Sequence, residues 1–166
     1  MKNPLVSIII TTRNSGKTMQ QLLKSIKFQT YKSIEIIIVD NNSSDNTIAI
    51  SKLFTKNIFI KGPERSIQRN FGARKAKGKY LLILDSDMRL NSNVVKECVE
   101  KLEKNNTIKS LIIPEKSFGR GFWAKTKAFE RELNQGEDYF EAARFFLKKI
   151  FLEVKGYDEN LTGPED

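Results

Sequence analysis

Short runs of aliphatic and β-branched residues alternate along the chain with stretches whose apolar positions recur every three or four residues. Leu5-Val6-Ser7-Ile8-Ile9-Ile10 reads as a buried strand. Ser15 then opens a helical pattern carried by Met19, Leu22, Leu23 and Ile26. Ile34 to Val39 predicts a second buried strand ending at Asp40. A polar turn, Asn41 to Asn46, leads into a helix through about Phe54, with Ser44 or Asp45 as its N-cap. Asn57 to Lys61 predicts a third strand, Arg65 to Lys77 a basic helix, and Lys79 to Leu84 a fourth strand ending at Asp85. Further on, the pattern predicts a helix over Asn93–Lys104, a strand over Ile108–Pro114 and a helix over Phe122–Leu133. Tyr139 to Val154 reads as a strand through Phe146 followed by a short helix.

Strands alternating with helices predict an α/β fold with a mostly parallel central sheet flanked by helices. No repeat, low-complexity tract or linker interrupts the pattern, so residues 1–166 are expected to form a single domain. Ligands of such sheets sit beyond the carboxyl ends of the strands. That directs attention to Thr11–Asn14, Asp40–Asp45 and Asp85–Asp87.

Composition narrows the chemistry available there. The 166 residues include no histidine and one cysteine, Cys98. Imidazole general bases, Ser-His-Asp or Cys-His nucleophiles and histidine-bound zinc are excluded, and a lone thiol excludes an internal disulfide framework. Any metal must rest on oxygen, which points to Mg²⁺, Mn²⁺ or Ca²⁺. Acid–base work near pH 7 falls to carboxylates. No leader-like apolar run follows the amino terminus, and none approaches the ~18 residues of a membrane span. A reducing, cytoplasmic setting is the expectation.

The formal charge of +9 is uneven. Residues 1–51 carry six basic and three acidic groups, residues 52–79 nine basic and one acidic, and residues 80–166 fourteen basic and sixteen acidic. On charge alone the middle stretch reads as a solvated helix face. A surface for phosphate, anionic lipid or nucleic acid is the alternative.

Two motifs compete for the nucleotide. Asn14-Ser15-Gly16-Lys17-Thr18 ends like a phosphate-binding P-loop, but the glycine required five residues before Gly16 is Thr11. A dinucleotide G-x-G-x-x-G is absent. Asp85-Ser86-Asp87 follows the apolar run Tyr80–Leu84. If the chain stays extended there, residues i and i+2 point the same way and two carboxylates converge on a hard cation or on sugar hydroxyls.

These pieces fall into a familiar order. Val6 to Asn14, Gln29-Thr30-Tyr31, Glu35 to Thr47, Arg69-Asn70-Phe71-Gly72 and Ala76-Lys77-Gly78-Lys79-Tyr80 are followed by Leu84-Asp85-Ser86-Asp87-Met88, Gly156-Tyr157-Asp158-Glu159 and Gly163-Pro164-Glu165-Asp166. Together they resemble the family 2 glycosyltransferases of the GT-A fold, a Rossmann-like single domain. The resemblance spans nearly the whole chain. It stops at Glu165-Asp166, where the family continues into a helix on the acceptor side.

The resemblance implies a metal-dependent, inverting transfer of a sugar from a nucleotide-diphospho-sugar, UDP-linked by preference, to an acceptor hydroxyl of a glycan or glycoconjugate. Thr11 and Arg13 would hold the nucleotide and Asp40 would read its base. Asp85 would contact the ribose, and Asp87, with Asp85, the Mn²⁺ or Mg²⁺ that bridges the diphosphate. Arg69, with Arg65, Arg74 or Lys17, would add cationic contact. Asp166, with Glu165 second, would be the base that deprotonates the acceptor. Implied partners are the nucleotide-sugar donor and a glycan, glycoprotein or lipid-linked acceptor, with peripheral contact at the inner face of a membrane and no nucleic acid. A polyprenyl or dolichyl phosphate acceptor is the chemical alternative. A P-loop-like hydrolase and a basic nucleic-acid-binding domain are the alternatives from other classes. Beside the acidic motif, the basic 52–79 stretch becomes a phosphate surface. Trp123, the Phe-rich segment with Lys148 and Lys149, and Cys98 read as core packing, with sugar stacking at Trp123 and lipid docking at the Phe-rich segment as the functional alternatives.

Overall fold

The computed structural model describes residues 3–115 and 142–160. Its elements are β1 (Val6–Thr12), α1 (Gly16–Lys27), β2 (Ile34–Asp40), α2 (Thr47–Lys52), β3 (Ile58–Ile60) and α3 (Arg65–Lys75). They continue with β4 (Tyr80–Asp85), α4 (Val94–Lys104), β5 (Ser110–Ile112), β6 (Ala143–Leu147) and α5 (Lys148–Glu153). The strands form one sheet in the order β3-β2-β1-β4-β6-β5. β3, β2, β1 and β4 run parallel, while β6 is antiparallel to both β4 and β5. The mostly parallel α/β sheet expected from the pattern is what forms.

Burial explains the continuous apolar runs. Every residue of β1 is buried, because helices cover both faces of the sheet. One face carries Ile8, Ile10, Ile38, Leu82, Leu84 and Phe145 against α1 and α4. The other carries Ile9, Ile37, Val39, Leu81 and Ile83 against α3 and α5. Helix α3 has few large apolar residues to offer, yet it buries Ser66, Gln68, Arg69, Asn70, Gly72 and Ala73. Gly72 makes this possible: a Cβ there would lie 2.5 Å from Ile9 Cγ2, so the bare backbone sits directly on the sheet.

Several boundaries differ from the pattern. The helix after β2 ends at Lys52 rather than Phe54 and is followed by a turn. Asn46 stands at its N-cap position, but the capping oxygen comes from Asp45, whose Oδ1 accepts from Thr47 N at 2.9 Å. Strand β5 spans Ser110–Ile112, shorter than the expected Ile108–Pro114, and among the described strands it pairs only with β6. The Phe-rich segment is core: Phe145 and Phe151 are buried on opposite faces of the sheet. Trp123 and the helix expected over Phe122–Leu133 lie outside the described residues.

Candidate active site at the carboxyl edge of the sheet

β1, β2 and β4 end side by side, with Thr12 opposite Asp40 and Thr11 opposite Asp85. Strand alternation then sorts these polar ends between the two faces. Thr12 continues the Ile8–Ile10 row and Asp40 the Ile36–Ile38 row, both on the α1 side. Thr11 follows Ile9, and Asp85 follows Leu81 and Ile83, on the α3 side. The structure therefore brings Thr11 and Asp85 together and separates both from Asp40.

Asp40 is fully buried. Its Oδ1 accepts from Thr12 Oγ1 and Ser43 Oγ, each at 2.6 Å, and its Oδ2 accepts from Ser43 N at 2.7 Å. A carboxylate so enclosed organises the 41–46 turn. Asp40, expected to read a base, is 0% exposed, and both of its oxygens accept from protein donors here. Beside it, Gln68 Nε2 donates to the carbonyls of Thr12 and Val39, satisfying backbone acceptors where β1 and β2 end.

Asp85 is held by two arginines. Arg69 Nη2 approaches its Oδ1 at 3.1 Å, and Arg144 Nη1 approaches its Oδ2 at 3.3 Å. Arg69, on α3, is 1% exposed, so its charge requires a buried counter-ion. Arg144, on β6, is also buried, and its Nε donates to Glu115 Oε1. Asp85, expected beside Asp87 at a metal, and Arg69, expected at the diphosphate, are paired with each other. The chain turns at Ser86–Asp87, with Met88 N bonded to Asp85 O, so the extended backbone ends with the strand. Asp87 stands exposed on that turn.

This donor set fits a cation that arrives with its substrate. Among the described residues no three His, Cys, Asp or Glu side chains converge on one point. Asp87 offers a hard, solvent-facing oxygen pair, and Mg²⁺-type ions are commonly held by one or two carboxylates plus substrate phosphates.

The helix end that a P-loop would turn toward phosphate is already engaged. Gly16 N donates to Asp45 Oδ2 at 2.9 Å and Ser15 N to Thr47 Oγ1 at 2.7 Å. Asn14 N donates to Ser43 Oγ, and Asn14 Oδ1 accepts from Ser44 N. These bonds tie the 13–16 turn to the 43–47 turn instead of leaving a phosphate cradle. Ser86 Oγ donates to Ser15 Oγ at 2.7 Å, joining the third turn to the first.

Residues 7–157 match the sequence model described as glycosyl transferase family 2. The chain belongs to that family. A β-1,3-glucosyltransferase of Campylobacter jejuni named for GalNAc(5)-diNAcBac-PP-undecaprenol is 28% identical, the match covering 98% of this chain and 57% of that protein. WfaP of Escherichia coli, a UDP-Glc:α-D-GlcNAc-diphosphoundecaprenol β-1,3-glucosyltransferase, is 42% identical over 50% of this chain and 35% of its own length. Among solved structures, Staphylococcus aureus TarS 1–349 superposes with a TM-score of 0.74 at 20% identity, covering 97% of this chain and 52% of TarS 1–349. The mannosyltransferase PcManGT of Pyrobaculum calidifontis, solved with GDP-Man and Mn²⁺, superposes at 0.72 with 18% identity, covering 97% and 49%. The fold is thus that of the GT-A glycosyltransferases. The chain spans about half the length of these two structures and between a third and three-fifths of the two sequence relatives.

In this family member two distant motif fragments meet. Asn70 of α3 binds the Tyr157 peptide and Glu159, and the Arg69 guanidinium lies 5.1 Å from the Tyr157 ring centroid. Gly156, at φ +71°, turns the chain into this contact, and a Cβ there would lie 2.2 Å from Asn70 Oδ1. Arg13, Lys17 and Arg65 are exposed around the edge, and Arg74 pairs with Glu159 at 3.4 Å. Glu165 and Asp166 lie outside the described residues. Arg144 and Gln68 escaped sequence reasoning. The available signal for Arg144 was an arginine two residues before Phe146 in an otherwise apolar strand. No helix among the described residues is long and apolar enough to cross a membrane.

Proposed function

We propose that this protein moves a sugar from a UDP-linked donor to a hydroxyl of a glycan or glycoconjugate, with inversion and with a Mn²⁺ or Mg²⁺ ion at Asp87. The observation that carries the reading is the pairing of an exposed Asp87 with an Asp85 held by Arg69 and Arg144 at the carboxyl edge of the sheet. A carboxylate offers about four lone-pair sites. Asp85, still partly exposed, retains room to accept a ribose hydroxyl although both oxygens are paired. A neutral hydroxyl suits that position beside two guanidiniums, whereas a dication does not. Thr11 and Arg13 flank the same edge and take the nucleotide, with Lys17 or Arg65 near the diphosphate.

The acceptor oxygen attacks the anomeric carbon, its proton passes to Asp166 (Glu165 in second place), and the bond to the diphosphate breaks. When bound, the cation neutralises charge on the departing diphosphate. Support for the donor comes from WfaP, named for UDP-Glc, and from TarS, solved with UDP and with UDP-GlcNAc. The names of the Campylobacter and Escherichia relatives support an acceptor sugar on a diphosphoundecaprenol carrier and, with it, a reaction at the inner face of a membrane.

Asp87→Ala is expected to lower transfer from UDP-sugars at least ~100-fold and to weaken Mn²⁺-dependent UDP binding while the fold persists. Unchanged transfer in that variant sinks the reading. Full transfer in Asp166→Asn would move the acceptor to a polyprenyl or dolichyl phosphate, an anionic nucleophile that needs no base.

A further inference from the structure

Helices α1 and α2 pack side by side on one face of the sheet, and they end alike. α1 closes on Lys27 and is followed by Phe28; α2 closes on Lys52 and is followed by Leu53. Phe28 is 73% and Leu53 76% exposed, the two most exposed large apolar side chains among the described residues. Lys27 and Leu53 line one groove of about 500 Å³ together with Lys32 and Lys56, while Ile26, Ile36 and Phe54 supply apolar lining. Lys24 stands one helical turn before Phe28. Nothing acidic offsets these lysines. Residues 1–34 and 46–63 contain no Asp or Glu. No ion pair among the described residues involves Lys24, Lys27, Lys32, Lys52 or Lys56. Glu35 is the one carboxylate lining the groove, and its Oε1 accepts from Ser7 Oγ, Lys77 N and Gly78 N. The exposed aliphatics at the end of α5 differ: Leu152 and Val154 stand among Glu153, Asp158 and Glu159, with Lys149 and Arg74 paired to two of those acids.

We infer that the corner formed by the ends of α1 and α2 docks on an anionic lipid bilayer, with Phe28 and Leu53 entering the headgroup layer and the lysines meeting its negative charge. Charge complementarity selects the partner, since each lysine near an anionic surface adds attraction that reaches about one Debye length. The apolar tips select lipid over nucleic acid. A headgroup boundary accepts any apolar side chain, whereas a nucleic acid rewards stacking rings and gains little from an aliphatic Leu53. The two signals together are what reversible attachment to a membrane surface requires. Both tips lie at the amino edge of the sheet, where the groove meets the start of β2. Docking there leaves the carboxyl edge, with Asp87, uncovered for the donor. The inference extends the membrane location proposed above by naming the surface that makes the contact, and it needs no transfer to be tested.

The test is co-sedimentation with vesicles of phosphatidylcholine alone and of phosphatidylcholine and phosphatidylglycerol in equal parts. Wild type should bind the mixed vesicles at least ~10-fold more tightly, and the preference should shrink as salt is raised. Phe28→Ser combined with Leu53→Ser removes both tips and should weaken binding to mixed vesicles at least ~10-fold, with the melting temperature unchanged because both side chains are exposed. Lys27→Glu combined with Lys56→Glu should abolish the preference for phosphatidylglycerol. In Leu53→Trp the new indole should shift its emission to the blue when mixed vesicles are added, beyond any change from Trp123 in wild type. An emission that stays put overturns the inference, as does a wild type that binds neither vesicle. Full binding retained by both double variants would move the lipid contact to another face and overturn it too. A solution dimer that Phe28→Ser with Leu53→Ser dissociates, without vesicle binding, would give the corner to a second copy of the chain instead. Single-stranded DNA bound as tightly as mixed vesicles, and unaffected by loss of the tips, would give the lysines to nucleic acid. The transferase reading fails separately, if wild type shows no Mn²⁺-dependent affinity for UDP.

Discussion

Asn70 grips the Tyr157 peptide on both sides: its Nδ2 donates to the Tyr157 carbonyl at 2.8 Å, and its Oδ1 accepts from the Tyr157 N–H at 2.9 Å. The same Nδ2 reaches Glu159 Oε1 at 3.0 Å. This amide fastens the 156–159 turn onto α3, beside Arg69. Asn70→Ala is expected to cost about 2 kcal/mol, from three hydrogen bonds and the unpaired peptide groups left behind. Asn70→Asp should be no milder, since it places a carboxylate against the Tyr157 carbonyl and Glu159. Chemical denaturation of both variants checks this, and an Asp variant as stable as wild type contradicts it.

Asp45 carries the link between the first two turns. Hydrogen bonds from the Thr47 hydroxyl, the Thr47 N–H and the Gly16 N–H hold its carboxyl below the usual aspartate range. A depressed pKa stabilises the fold above the unfolded value and loses that contribution as pH falls through the folded value. Wild type should therefore lose an increment of thermal stability as pH falls below about 4. Asp45→Asn should melt lower than wild type at pH 7, with the gap closing in acid. Melting curves from pH 7 to pH 3 decide the matter. A gap that stays constant across that range rules the account out.

Much of the fold was legible because a parallel sheet covered on both faces writes its strands as unbroken aliphatic runs. Ile36–Val39 and Leu81–Leu84 are of that kind. The polar turns after those runs stand together at the carboxyl edge of the sheet. What the pattern left open was the direction of individual carboxylates. Asp40 and Asp85 both end strands, yet one faces α1 beneath Ser43 and the other faces α3 between two arginines. Register and face decide that difference, and both are set by long-range pairing that a local motif does not encode. Arg144 was hidden for the same reason, since its partner Asp85 lies on another strand. β6 itself runs against the parallel majority, which strand–helix alternation alone does not reveal.

Cys98 packs in the α4 core, where burial pushes its thiol up to about 11. At pH 8 only about one molecule in a thousand then carries the reactive thiolate. A disulfide reagent such as dithiobisnitrobenzoate should label the native protein at least ~100-fold more slowly than the protein in concentrated guanidinium. Equal rates in the two conditions would place the thiol outside the core.

The role of Asp40 separates two accounts of nucleotide choice. If it reads the base, Asp40→Asn should alter the preference between UDP and GDP while leaving stability nearly intact. The geometry argues otherwise. Three donors, Thr12 Oγ1, Ser43 N and Ser43 Oγ, converge on its two oxygens, and nothing of the side chain is exposed. An asparagine fills the same volume but replaces one acceptor with a donor, leaving either Ser43 N–H or the two hydroxyls facing an NH₂ group. Such a loss in a buried, charge-assisted network costs about 3 kcal/mol. The 41–46 turn would loosen with it, together with the Asn14 and Ser15 contacts it anchors. Asp40→Asn is therefore expected to lower the melting temperature and weaken every nucleotide by a similar factor. Calorimetric titration of UDP and GDP against both proteins gives the answer. A selective loss of one nucleotide at unchanged stability would return Asp40 to the base.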